Sequence, residues 1–128
     1  MPDALSTAPP IRRAAFADLG VWVDETRGHY ATLRMVEIAM SRGWQATELD
    51  AGLIDWFRHP EREELPQALA AVDVDSLPEM WQDLCSDVEE WFNDHVTPLD
   101  SAGDPLASFG WWEGSFHLQT ATWWNEEG

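Results

Sequence analysis

Along most of the chain, apolar positions recur at intervals of three and four, and only near the end do they alternate at intervals of two. Between His29 and Arg42 the polar residues Arg34, Glu37 and Ser41 leave one narrow stripe. Leu33, Met35, Val36, Ile38, Ala39 and Met40 fill the rest, which predicts a mostly enclosed helix. Arg42 in its last turn and Gly43 just beyond it are stop signals. Thr47 followed by Asp50 resembles a capping box, with Leu49, Leu53, Trp56 and Phe57 on one face, so a helix is expected over Glu48–Arg58, ended by Pro60. The stretch Trp44 to Leu49 is ambiguous: read as a strand, it would complete a βαβ unit with Val21-Trp22-Val23 and the first helix. A short helix is expected around Pro66 to Val72.

The strongest pattern lies between Ser76 and Val96. Ser76 and Glu79 have capping-box spacing, and Pro78 falls in the first turn, where a missing N–H costs little. At about 100° per residue with Glu79 at zero, Glu90, Asp83, Asp94 and Asp87 fall between roughly 20° and 80°. Leu77, Met80, Trp81, Leu84, Cys85, Val88, Trp91, Phe92 and Val96 fall between roughly 100° and 260°. One face is core, and beside it runs a stripe of acids.

At the two ends the pattern changes. Met1 to Pro10 is small, polar and proline-containing and reads as a flexible leader. A helical turn is expected within Ile11 to Leu19, stopped by Gly20, then a brief strand at Val21–Val23 and a loop over Asp24–Gly28. Thr97 to Pro105 reads as loop. Ala107–Trp112, Glu113-Gly114 and Ser115–Thr122 read as a hairpin around a two-residue turn, with Phe109 and Trp111 on one side of the first strand and Phe116 and Leu118 on one side of the second. The expected fold is therefore α+β: one mainly helical domain over 11–128, with a small antiparallel sheet that includes a C-terminal β-hairpin.

Composition changes this picture through charge. The 128 residues hold 24 acids against 7 bases, for a formal charge of -17, yet 45% are hydrophobic and nine are Trp, too apolar for a disordered acidic tail. All seven bases are Arg, the last is Arg62, and residues 65–128 carry 13 acids and no base. Direct binding to nucleic acid or an anionic membrane face through that half is disfavoured, because Lys and Arg hold such partners. Some of the acidity can be compositional background, the absence of Lys pointing to GC-rich coding. Cys85 is the only cysteine, no apolar stretch approaches the roughly 20 residues of a membrane helix, and no signal-peptide pattern is present, so a cytoplasmic protein is expected.

Catalytic signals are sparse. The four His show no metal-ligand spacing, and no nucleophile elbow, phosphate loop or dinucleotide fingerprint occurs, so neither metal nor cofactor is implied. His95 falls in the middle of the apolar face and is expected as a hydrogen-bonded core residue. Cys85 lies among acids, which raise a thiol pKa.

The acidic stripe carries more. From Glu79 to Asp94 the helix is about 22 Å long and bears six acids counting Glu89, one per roughly 4 Å, against one phosphate per about 3.4 Å of a B-DNA strand. The same pattern also describes an ordinary solvated helix face, although the stripe lacks the interleaved Lys or Arg usual on one. Trp111-Trp112 and Trp123-Trp124 are adjacent pairs, and in a strand one member of each must face away from the core. An exposed Trp112 or Trp124 beside Glu113, Glu126 and Glu127 would suit a basic partner; a second helix layer or a homodimer would cover it instead.

The reading that follows is an acidic protein that neutralises a basic, nucleic-acid-binding protein, in the manner of an immunity protein, an antitoxin or a nucleic-acid-mimicking counter-defence inhibitor. The expected contact residues are Glu79, Asp83, Asp87, Glu90, Asp94, Trp112, Glu113 and Trp124. Two alternatives stand beside it: a small enzyme or ligand carrier with an aromatic pocket at His117, and an accessory or structural subunit.

Overall fold

The computed structural model describes residues 13–24, 29–59 and 64–127. The leader at 1–10, the loop from Glu25 to Gly28 and Pro60 lie outside these. A 3-10 turn at Phe16–Asp18 leads into strand β1 (Gly20–Val23), followed by helices α1 (His29–Ser41) and α2 (Glu48–Arg58). Two further 3-10 turns, Gln67–Leu69 and Val74–Ser76, precede the long helix α3 (Leu77–His95). Strands β2 (Ser108–Trp112) and β3 (Ser115–Gln119) form the hairpin, and helix α4 (Ala121–Glu127) closes the described chain. The fold is α+β, as the periodicities predict.

The local signals explain the boundaries. Gly43, at φ 111°, lets Trp44 N–H reach back to the Ala39 carbonyl at 2.9 Å, which ends α1 with a left-handed cap. Thr47 Oγ1 accepts from Asp50 N–H and the Asp50 carboxylate accepts from Thr47 N–H, both at 3.1 Å, so α2 starts on the expected capping box and Trp44–Leu49 is no strand. The face of α2 is rotated from expectation: Gly52, Leu53 and Ile54 are buried and Leu49 is exposed. Gly52 permits this, because a Cβ there would lie 3.0 Å from Ala68 Cβ, so the 3-10 turn Gln67–Leu69 packs directly on the helix backbone. The capping box expected at Ser76 and Glu79 does not form. Ser76 already has helical backbone angles, and Asp73 caps the preceding turn by accepting from Asp75 N–H.

The sheet is antiparallel in the order β1-β3-β2, with Glu113 and Gly114 both at positive φ in the two-residue turn, the geometry that matches strand twist. A register shift between Val21 and Val23 lets both Trp22 and Val23 serve the helix side. Trp22, Phe92, Phe109 and Phe116 meet there with ring centroids 4.8–6.1 Å apart. Buried Leu77, Trp81, Leu84, Val88 and Phe92 line α3 against this core.

Two polar devices join sheet and helices. The Asn93 side chain of α3 accepts from Phe109 N–H at 2.7 Å and donates to Phe109 C=O at 3.2 Å, pairing with β2 as a neighbouring strand would. The Arg13 guanidinium donates to the carbonyls of Asp94 at 3.1 Å and Thr97 at 2.8 Å, capping the C-terminus of α3 with a positive charge from the other half of the chain.

The chain beyond Gln119 departs from expectation. Thr122 is helical, and Trp123 and Trp124 belong to α4 rather than a strand, because Thr120 Oγ1 accepts from Trp123 N–H and starts a helix that turns back over the outer face of the sheet.

Candidate functional site

Glu79, Asp83, Asp87, Glu90 and Asp94 are all exposed, in one line along α3. None of the five forms an ion pair among the described residues. Arg34 and Arg58 both engage Glu37, at 3.7 and 3.1 Å, Arg13 is committed to main-chain carbonyls, and Arg42 lies 4.6 Å over the Trp22 ring. The helix therefore presents about 22 Å of carboxylates that have no ion-pair partner among the described residues. Such a surface repels itself and attracts any cationic surface that offers complementary spacing.

The other expected contact residues have different settings. Glu113 is exposed in the hairpin turn, but Trp112 and Trp124 are half-buried. Trp112 packs edge-on to Trp123 at 5.4 Å, and its indole donates to the Glu127 carbonyl at 2.9 Å. Trp124 donates to the Ser108 carbonyl at 3.2 Å and lies against Gly110, where a Cβ would meet its ring at 3.0 Å. Of the alternatives for the outer face of the sheet, the structure has the helix layer: the short helix α4 covers it, and neither Trp112 nor Trp124 stands freely exposed. This tip joins two half-buried indoles to the acids Glu113, Glu126 and Glu127.

His117 sits on the central strand, 6% exposed, beneath Trp123, whose ring stacks on the imidazole at 5.1 Å. Gln119 Nε2 lies 3.2 Å from Nδ1 and can only donate, so the neutral ring carries its proton on Nε2. Burial holds the His117 pKa below its ordinary value. His95 is exposed at the end of α3, contrary to the core position its wheel angle implies, although Phe92 and Val96 beside it are buried; its ring only leans on Trp91 at 5.7 Å. Burial pushes the Cys85 thiol up to about 11, with a hydrogen bond to Thr32 opposing it; desolvation rather than neighbouring acids is the cause.

One feature of α3 escaped sequence reasoning. Trp81, Cys85 and Glu89, four residues apart, line a groove of about 320 Å³ that Thr32 of α1 and Trp111 of β2 complete. Glu89 is half-buried and accepts a hydrogen bond from Trp111; burial raises its pKa despite that bond. Its wheel angle of roughly 280° set it apart from the acidic stripe, beyond Ser86, a signal that could have marked it as different. Two larger grooves, of about 410 and 500 Å³, flank Trp22, one lined by Asp18, Ser41 and Arg42 and one by Tyr30, Arg34 and Glu37. His117 lines none of the three.

No group of His, Cys, Asp and Glu among the described residues could hold a metal ion, and no helix among them is long and apolar enough to cross a membrane. No family model matches the chain, and neither a curated protein nor a solved structure matches it.

Proposed function

We propose that this chain is an acidic inhibitor that binds and neutralises a basic, nucleic-acid-binding protein through the exposed face of α3. The observation that carries this reading is the line of five exposed carboxylates, Glu79, Asp83, Asp87, Glu90 and Asp94, none of them in an ion pair among the described residues. A helix face that needed only to be wet would gain about 0.2–0.5 kcal/mol for each Lys or Arg placed four residues from an acid. This face takes none of that gain, which supports selection for a cationic partner rather than for stability. The spacing of charge, close to that of a nucleic-acid strand, fits arginines and lysines that otherwise grip phosphates. The acidic hairpin tip, with Glu113 beside the half-buried Trp112 and Trp124, supplies a second acidic patch.

The test is affinity capture from the native host at about 0.05 and 0.5 M salt, with the captured proteins identified and then purified. The expected partner is a basic protein that acts on nucleic acid, is lost at high salt, and is displaced by duplex DNA or RNA. Replacing Asp83, Asp87 and Glu90 together by Lys should abolish capture. Retained binding by that triple variant, with its circular dichroism unchanged, would remove α3 from the interface.

A further inference from the structure

We propose that the groove formed by α1, α3 and β2 is an anchor site that receives an arginine side chain of the basic partner, with Glu89 as counter-ion and Trp111 as the ring beneath the guanidinium. The proposal rests on the inhibitor reading above and names the contact that would give it specificity.

The groove is built rather than incidental. The Trp81 ring is stacked on Phe57 at 4.8 Å and 25°, and its indole donates to Thr32 Oγ1 at 3.0 Å. Trp111 rests on Phe116 at 4.9 Å. Both aromatic walls are therefore held from behind and cannot turn away from a guest. Between them the floor is the Cys85 thiol, held neutral by its burial and bonded to Thr32, an apolar surface suited to methylenes. At the β2 end sits Glu89, a half-buried carboxylate whose hydrogen bond comes from an indole and which has no cationic partner among the described residues.

This chemistry selects its occupant. An anion is repelled, and a neutral guest leaves the partly desolvated carboxylate without a counter-charge. An ammonium is compact and strongly hydrated, so it must shed tightly held water to enter. A guanidinium is planar and weakly hydrated; it can lie flat on an indole and present paired N–H groups edge-on to a carboxylate. The groove also borders the stripe: on the wheel Glu89 stands roughly 100° from Glu90, across Ser86, within one exposed arc of α3. A single partner surface can therefore seat one arginine in the groove and lay further cations along Glu79, Asp83, Asp87 and Asp94. Aromatic burial and a desolvated ion pair at such an anchor are the usual ingredients of a binding hot spot.

The test uses the full chain, ¹⁵N-labelled, titrated at low salt with N-acetyl-arginine methylamide, and in parallel with its lysine and citrulline counterparts. The arginine probe should give saturable shifts of the Trp81 and Trp111 indole N–H resonances, with the other two at least about ten-fold weaker. Glu89→Gln should weaken the arginine probe by about ten-fold or more while the chain stays folded. Absent saturation, equal response to citrulline or lysine, or an unchanged affinity in Glu89→Gln overturns the anchor. The two readings separate in the capture experiment. If Glu89→Gln keeps full affinity for the partner while the Asp83, Asp87 and Glu90 triple variant loses it, the groove fails and the stripe stands; if both keep it, both fail.

Discussion

Asn93 offers the sharpest test of how the acidic helix is held to the sheet. Its amide makes both hydrogen bonds that a neighbouring strand would make to Phe109, at 2.7 and 3.2 Å, and Phe109 itself is 4% exposed. Asn93→Leu removes the donor and the acceptor at once and leaves the N–H and C=O of Phe109 facing an apolar side chain. An orphaned, partly buried polar group costs about 1–3 kcal/mol, so the pair should cost about 3 kcal/mol. A 128-residue domain has an unfolding entropy near 0.27 kcal/mol/K by the usual per-residue value, which converts that loss to a fall in Tm of about 11 °C. Thermal unfolding followed by circular dichroism gives the shift, and hydrogen exchange should show the Phe109 amide opening at least about ten-fold faster. Asn93→Asp separates the two bonds. Its carboxylate still accepts from Phe109 N–H but opposes the Phe109 carbonyl, so the loss should shrink as the pH falls and the protonated carboxyl becomes a donor. A Tm change under about 3 °C in Asn93→Leu, with Phe109 still protected, would refute the claim that this side chain completes the sheet edge.

Gly110→Ala should cost about 1–3 kcal/mol, because the new Cβ meets the Trp124 ring at 3.0 and 3.2 Å and pushes α4 off the sheet; an unchanged Tm and near-UV spectrum would contradict that packing. His117 should titrate below the ordinary histidine value of 6.5. Since the unfolded chain binds the proton first, the stability owed to its neutral ring is fully present above about pH 6.5 and is lost as the pH falls through that value toward the lower folded pKa. NMR titration reads this directly, and Trp123→Ala, which uncovers the ring, should raise the pKa toward 6.5. With its pKa near 11, Cys85 should hold about a hundred-fold less thiolate than an ordinary cysteine and react correspondingly slowly with a disulfide reagent until denaturant unfolds the chain. Fast labelling of the folded protein would contradict the raised pKa.

How far the sequence reached can be judged element by element. Helices α1, α2 and α3 and the hairpin were legible because their signals are local: a polar stripe of period 3.6, Gly43 as a left-handed stop, the reciprocal Thr47 and Asp50 cap, and a two-residue turn at Glu113-Gly114. The exposed acids of α3 were legible for the same reason, since a wheel angle depends only on spacing. The misplaced residues all depend on partners distant in sequence. His95 has a core wheel angle but no other described element covers its side of the last turn, and the α2 face turned because Ala68 and Leu69 dock on Gly52. Trp123 and Trp124 became a helix over the outer face because burying four aromatic rings on one another there outweighs extending the strand.

The chain by itself therefore determined that this is an α+β domain with its acids gathered, free of bases, along one helix, because periodicity and charge are written residue by residue. Only the tertiary structure decided which aromatic residues flank those acids. It packed Trp112 of β2 and Trp124 of α4 into the contact between the sheet and that helix, and it set Trp111 of β2 beside Glu89 of α3, a pair 22 positions apart that no spacing rule joins. The physical reason is that a wheel angle fixes the direction in which a side chain leaves its own element, whereas burial is fixed by whatever other element arrives there.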